Sequence, residues 1–345
     1  MSPPRAAIFG LSGPVLSDDE RRFFAEADPW GFILFARNVV DPDQVRRLTA
    51  SLRETVGRNA PVLIDQEGGR VQRLRPPHWQ EWEPVRDEVE AAADEMSVLH
   101  GLRTRYAAIA RELRDVGIDV NCVPVLDVPQ PNAHPVIGNR ALGAAPDAIA
   151  VRGREAIAGL MDHGVLPVIK HIPGHGRALH DSHEALPRVP APLADLRAVD
   201  FPPFLSLRDA PLGMTAHVVY EAIDPEHCAT LSADVIRVIR SELGFEGLLI
   251  TDDLSMKALT GSMAARTTAA LDAGCDIVLH CNGDPGEMTA IAGQLPVLAD
   301  RALARAGRAD GIRMRATRPD AAGSYTPASE ALAGEVIPPR ERAVG

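Results

Sequence analysis

The chain has 345 residues, is 46% hydrophobic, and sets 36 Lys and Arg against 47 Asp and Glu for a net charge of −11. Without a basic block, that balance argues against a nucleic-acid partner, and the apolar content excludes a disordered or fibrous chain. No apolar run reaches the roughly 18 residues of a membrane span, and the amino terminus lacks the basic, apolar and small-residue regions of a secretory leader.

Eight short apolar runs recur along the chain, at residues 6–13, 31–38, 61–69, 118–128, 166–174, 211–220, 247–255 and 275–282. Each is bounded by turn residues. Between them lie segments of helical periodicity at 42–57, 102–117, 147–164 and 263–274, each ending in a glycine suited to a helix cap. Near-continuous apolar strands alternating with helices predict a parallel sheet covered by helices, and eight such units in a chain of this size predict a (β/α)8 TIM-type barrel in a single domain. A doubly wound sheet shares the alternation, but no G-x-G-x-x-G opens a helix after the first strand.

Two stretches depart from the pattern. Residues 73–95 form a long insertion after the third strand, expected at the rim of the site, with Trp79 and Trp82 as packing anchors. From about Arg315 the periodicity gives way to Pro, Ala and Gly, so 1–314 is read as the catalytic barrel and 315–345 as an extension, docked or disordered. Cys122, Cys228, Cys275 and Cys281 are scattered without a C-x-x-C pair. They are expected as reduced thiols, which suits a cytoplasmic address.

In such barrels chemistry sits where strands end and loops begin. The strand ends here carry Arg37 and Asn38, then Asp65, Gln66 and Glu67, Asp127, Lys170 and His171, His217, Asp252 and Asp253, and His280. Successive strand residues face opposite sides, so only one of Asp252 and Asp253 points into the mouth; Asp253 is expected to cap a following helix. The segment from Lys170 to Pro187 holds four histidines. His175 and His180 suit backbone contacts, whereas Asp181 and His183, in a D-x-H spacing, share one side of an extended segment, where the carboxylate can stabilise a protonated imidazole. Glycine in the stretch from Gly176 to Leu179 suggests a mobile loop that brings His183 in after substrate binds. Two other readings stay open: a metal-dependent hydrolase with His171, His175, His183 and Asp252 as ligands, and a non-catalytic sugar-binding module.

Five motifs then carry a resemblance: "DQEGGRVQR", "VIGNRAL", "KHIPGHG" followed by "DSH", "MTAHVVY" and "GFEGLLITDDLSM". Together, from about Ala7 to about Asp310, they resemble the bacterial β-N-acetylglucosaminidases of glycoside hydrolase family 3. The resemblance implies a cytoplasmic enzyme, independent of metal and cofactor, that removes non-reducing β-linked N-acetylglucosamine from peptidoglycan fragments during cell-wall recycling. It places the nucleophile on Asp252, the general acid/base on His183 and its partner on Asp181. Asp65, Arg73, Arg140, Lys170 and His171 match sugar-binding positions. A carbohydrate is the expected partner, with no nucleic acid and no membrane, and the chain is expected to act as a monomer.

Overall fold

The computed structural model describes residues 2–180 and 186–315. Eight strands close into a parallel barrel: β1 (Arg5–Phe9), β2 (Pro29–Leu34), β3 (Val62–Ile64), β4 (Val120–Asn121), β5 (Leu166–Ile172), β6 (Leu212–Thr215), β7 (Leu248–Asp253) and β8 (Ile277–His280). Each pairs with its neighbours in sequence, and β1 closes the ring by pairing Ala7 with Val278 on β8. Each of the eight predicted runs overlaps one of these strands. The four predicted helices are present as Pro42–Thr55, Glu95–Asp115, Pro146–Met161 and Met263–Ala273. The glycines that follow them, Gly57, Gly117, Gly164 and Gly274, all have positive φ, the backbone state that a Cβ disfavours.

Alternation along the strands separates two apolar layers. Ala6, Ile8, Ile33, Leu63, Val120, Leu166, Val168, Leu212, Met214, Leu248, Ile250, Ile277 and Leu279 pack together inside the ring. Their neighbours Ala7, Phe9, Phe32, Leu34, Val62, Ile64, Ile169, Leu249 and Val278 belong to the shell beneath the helices. The sequence therefore needs apolar residues at both parities, which is why the strands read as continuous runs rather than as alternating ones. Extending the inward parity by one more position gives Phe35 after β2, Asp65 after β3, Lys170 in β5, Asp252 in β7 and Cys281 after β8. The barrel interior thus changes from apolar to charged within one layer.

Residues 73–95 differ from expectation. Trp79 and Trp82 are buried, as anchors should be, and a helix forms at Val85–Ala91, but no residue between Leu74 and Glu95 lines the central cavity. The insertion instead backs the turn after β3. Gly69 N–H donates to the Trp82 carbonyl at 2.7 Å, and Arg105 on the helix Glu95–Asp115 donates to the carbonyls of Glu67 and Glu83 at 2.9 and 2.6 Å while lying over the Trp82 ring. Gly68 and Gly69 turn with φ of 105° and 56°, and a side chain at Gly68 would run into the Arg105 guanidinium. Among the described residues no helix is long and apolar enough to cross a membrane.

Candidate active site

A cavity of about 290 Å³ opens at the carboxy-terminal end of the barrel. The next inward layer just described lines it with Phe35, Asp65, Lys170, Asp252 and Cys281, above Ile33, Met214 and Leu279 of the apolar layer; His171 joins from the end of β5, and Arg70, Arg73, Val136, Ile137, Arg140 and His175 from the segments that follow strands. Asp65, Arg73, Arg140, Lys170, His171 and Asp252, picked out from sequence, all line this one cavity. Asp181 and His183 lie outside the described residues.

Three cations and two carboxylates alternate across one wall. Lys170 Nζ is 2.8 Å from Asp65 Oδ1 and 2.8 Å from Glu67 Oε1; Arg140 grips Glu67 through two bonds of 2.8 Å; Arg73 reaches Asp65 Oδ2 at 3.3 Å. Burial alone would push the Asp65 carboxyl up, but Lys170 and Arg73 hold it well below the usual carboxylate range. Glu67, resisting the same burial, is brought down to about 2 by Arg140 and Lys170. Burial would lower the Lys170 ammonium, yet its two carboxylates carry it above its ordinary value. Every member stays charged at neutral pH. Lys170 is therefore both a buried lysine paired to carboxylates and a residue of the cavity wall.

Neutral amides place these charges. Asn121 on β4 exchanges bonds with the backbone of Gln66, accepting from its N–H at 2.9 Å and donating to its carbonyl at 3.1 Å. The Gln66 side chain in turn accepts from the N–H groups of Arg73 and Leu74 at 2.9 and 3.0 Å, folding Arg73 back over Asp65. Sequence reasoning noted Glu67 only as a strand-end polar residue, although it joins Lys170 to Arg140. Its place two residues after Asp65, in a turn held by paired glycines, was the available signal.

Asp127, fully buried, orients the next group. It accepts from His171 Nδ1 at 2.7 Å and from the backbone N–H of His171 and His175 at 3.2 and 2.6 Å. A carboxylate only accepts, so Nδ1 carries the hydrogen and Nε2 is the other polar edge of the ring. Burial, then His171, lowers His175 to about 4, which keeps it neutral. Among the described residues no three His, Cys, Asp or Glu side chains group as a metal ion would require.

Both twin aspartates line the cavity, not one alone as expected, with Asp252 continuing the inward row of Leu248 and Ile250. Asp253 does not cap a helix, because the next one starts at Met263 with Ser262 as its cap. Its carboxylate instead accepts from Ser255 N–H at 3.0 Å, the Ser255 hydroxyl at 2.6 Å and Cys281 N–H at 3.1 Å, and its own N–H donates to Asp252 Oδ1 at 2.8 Å. The turn rather than a helix needed the carboxylate. His217 and His280, two other predicted strand-end residues, are fully buried and do not line the cavity.

The stretch after β5 is tied down where mobility was expected. Gln130 N–H donates to the Gly176 carbonyl at 3.0 Å, His134 N–H to the Ala178 carbonyl at 2.8 Å, and Arg177 Nε to Asp200 Oδ2 at 2.6 Å. Gly176 lies so close to the Val128 backbone that no side chain would fit. Only from Leu179, which is 51% exposed, does the described loop leave this support.

Comparison with known proteins agrees with the architecture. A beta-hexosaminidase of Alkalilimnicola ehrlichii is 39% identical over 300 residues, covering 84% of each chain. The solved structure of NagZ from Neisseria gonorrhoeae in complex with N-trifluoroacetyl-D-glucosamine superposes with a TM-score of 0.82 at 27% identity, covering 96% of this chain and 94% of that one. A glycoside hydrolase family 3 beta-N-acetylglucosaminidase from Paenibacillus sp. gives a TM-score of 0.80 at 32% identity over 90% of this chain, which spans only 61% of that longer protein. The model of the glycosyl hydrolase family 3 N terminal domain matches residues 15–302, and with the relatives above it shows that this chain belongs to glycoside hydrolase family 3.

Proposed function

We propose that this β-N-acetylhexosaminidase releases non-reducing terminal β-linked N-acetylglucosamine from peptidoglycan fragments, N-acetylglucosaminyl-anhydro-N-acetylmuramic acid peptides, in two displacements through a covalent glycosyl-enzyme. The observation that carries the reading is Asp252, an inward-parity carboxylate in a small cavity that Asp65, Lys170 and Arg140 of the charge lattice also line. Asp65 is ionised and retains acceptor capacity at the cavity, Lys170, Arg73 and Arg140 offer donors there, and Glu67 braces Lys170 and Arg140 from behind the lining. Such a lattice suits a ring of hydroxyls that both donate and accept.

In this mechanism Asp252 attacks the anomeric carbon. The Asp253 N–H on its Oδ1 fixes the carboxylate as charge moves from it into the new bond. The lattice and His171, locked by Asp127, hold the sugar so that the anomeric carbon faces Asp252. His183, supported by Asp181, protonates the leaving oxygen and then takes a proton from the incoming water, the exchange of roles a retaining glycosidase requires. A histidine suits both halves because its ordinary pKa lies near neutrality. The cavity admits little beyond one sugar ring, which accords with removal of terminal residues. The free cysteines among the described residues suit the cytoplasm, where cell-wall fragments would be recycled.

The deciding assay compares aryl β-N-acetylglucosaminide with aryl β-glucoside, with and without a chelator. Preference for the acetamido sugar, unaffected by chelation, is expected; equal turnover of the two sugars would sink the assignment. A fluorinated, slowly hydrolysed substrate should leave its label on Asp252, and a label on Asp253 or on neither would overturn the covalent mechanism.

A further inference from the structure

The end of β7 pairs irregularly on both sides. Its register with β6 stops at Met214 opposite Ile250, and its register with β8 shifts between Ile250 and Asp253. On the β8 side the Thr251 hydroxyl stands in, accepting from Leu279 N–H at 2.9 Å. On the β6 side the replacement is His217, fully buried, whose Nε2 lies 2.9 Å from the Asp253 carbonyl oxygen.

The hydrogens in this group can be assigned. A carbonyl only accepts, so His217 Nε2 carries a hydrogen. The groups acting on the ring are Asp252, Asp253 and His171, and burial outweighs the two carboxylates to lower its pKa and keep it neutral. Nδ1 is then a lone pair, met at 2.7 Å by the Thr230 hydroxyl, which gives it its proton in preference to the Ala216 carbonyl, farther off at 3.2 Å; Thr230 accepts in turn from the Thr215 hydroxyl at 2.8 Å. The chain Thr215, Thr230, His217 fixes one tautomer and ends on the backbone of Asp253. That residue is also held through its side chain, and its N–H holds Asp252 Oδ1.

We infer that His217, with its tautomer set by Thr230, is a positioning residue for Asp252: it clamps the Asp253 backbone whose N–H orients the attacking carboxylate. This rests on the reading of Asp252 as nucleophile. The peptide after Asp253 is also held by Leu254 N–H on the Leu279 carbonyl at 2.9 Å, and its carbonyl by Met256 N–H at 3.1 Å; His217 is the tie on the β6 side, and without it the Asp253 backbone shifts and the aim of its N–H loosens. Displacement of a reacting group by a fraction of an ångström to an ångström costs on the order of 10²-fold in rate.

Thr230→Val keeps shape but leaves the buried Nδ1 lone pair without a donor, so the ring loses the bond that aims its Nε2–H at the Asp253 carbonyl. His217→Phe removes the bond outright, and His217→Gln offers an amide N–H in its place. On an aryl β-N-acetylglucosaminide, kcat should fall on the order of 10²-fold in Thr230→Val and His217→Phe with KM little changed. His217→Gln should recover about tenfold, the worth of one hydrogen bond. Melting temperature and circular dichroism establish that each variant is folded; should His217→Phe fail to fold, Thr230→Val carries the test. Folded variants with wild-type kcat, or with lowered melting temperature alone, would overturn the inference. The fluorinated trap separates the two layers: a wild-type label away from Asp252 removes the nucleophile reading and the inference with it, whereas a label on Asp252 forming at wild-type rate in Thr230→Val removes the inference only.

Discussion

The barrel carries a buried charge cluster at each end, built from similar residues to opposite effect. At the amino-terminal end Asp119, just before β4, takes Arg313 at 2.5 Å, Arg53 at 3.0 Å and Arg114 at 3.7 Å, and accepts from Val62 N–H at 2.9 Å. Asp276, just before β8, takes Arg240 at 2.6 Å and Arg305 at 2.9 Å and accepts from Leu249 N–H at 2.9 Å. The spare donors go to backbone, as from Arg53 to the Ala60 carbonyl and from Arg240 to those of Phe245 and Gly247. At the other end, the lattice of Asp65, Lys170, Glu67 and Arg140 fronts a cavity. A saturated cluster is an anchor; one with acceptor and donor edges left open is a site. The same ion pairs serve either purpose according to what remains once the protein's own bonds are made.

The largest effect that separates the two ends is expected from Asp252→Ala, which should lower kcat on the order of 10⁴-fold while the melting curve stays near wild type. Lys170→Met comes next, because it strips the shared cation from two buried carboxylates. Breaking such a pair costs about 3–5 kcal/mol, seen as a shift in denaturant midpoint, and sugar binding should weaken with it, seen as a raised KM. Arg313→Met makes the opposite case: Asp119 retains Arg53 and Arg114, so about 3 kcal/mol of stability is lost and kcat/KM per folded molecule is unchanged. A floor variant that altered KM would break the distinction.

The smallest effect sharpens it through pH. Asp200, buried with one cation, is raised to about 6 by burial, against the pull of Arg177. Its protonated form is favoured by folding, so as pH rises from about 4 to 6 wild type should lose about 2–3 kcal/mol relative to Asp200→Asn, and no more above that window. Glu67, with two cations, runs the other way. Its contribution is whole above its ordinary value and is lost as pH falls toward about 2, so wild type should lose its advantage over Glu67→Gln only in acid. Equilibrium unfolding across pH checks both signs.

Much of this was legible in the sequence because barrel strands are buried on both faces. Runs such as residues 31–38 and 166–174 stand out without any alternation to detect. Even β4, two residues long, was signalled by the apolar stretch around it. The inward row was readable too, since Asp65, Lys170 and Asp252 keep the parity of Leu63, Val168 and Ile250. What periodicity hides is tertiary pairing. The paired glycines after Glu67 mark it as part of a turn beside Asp65, but its partners Lys170 and Arg140, like the meeting of Asp200 with Arg177, are set only by the tertiary fold. Asp253 reads as a helix cap because a cap and a turn ask the same thing of a carboxylate, namely to accept from nearby N–H groups. The glycine of Gly176 suggested freedom, whereas it permits close packing on Val128.

The ring's closure also bears on synthesis. Ala7 on β1 waits for Val278 on β8, so a growing chain must keep its first strand unpaired on one side until almost all of the barrel has left the ribosome. Arg305 and Arg313 emerge later still, from the helix Asp300–Arg315. A nascent chain that has just produced β8 can close its ring, yet Asp119 and Asp276 still lack these arginines. The final helix therefore works as a latch that arrives last, and a chain stopped short of it would have a complete cavity at one end and under-neutralised carboxylates at the other.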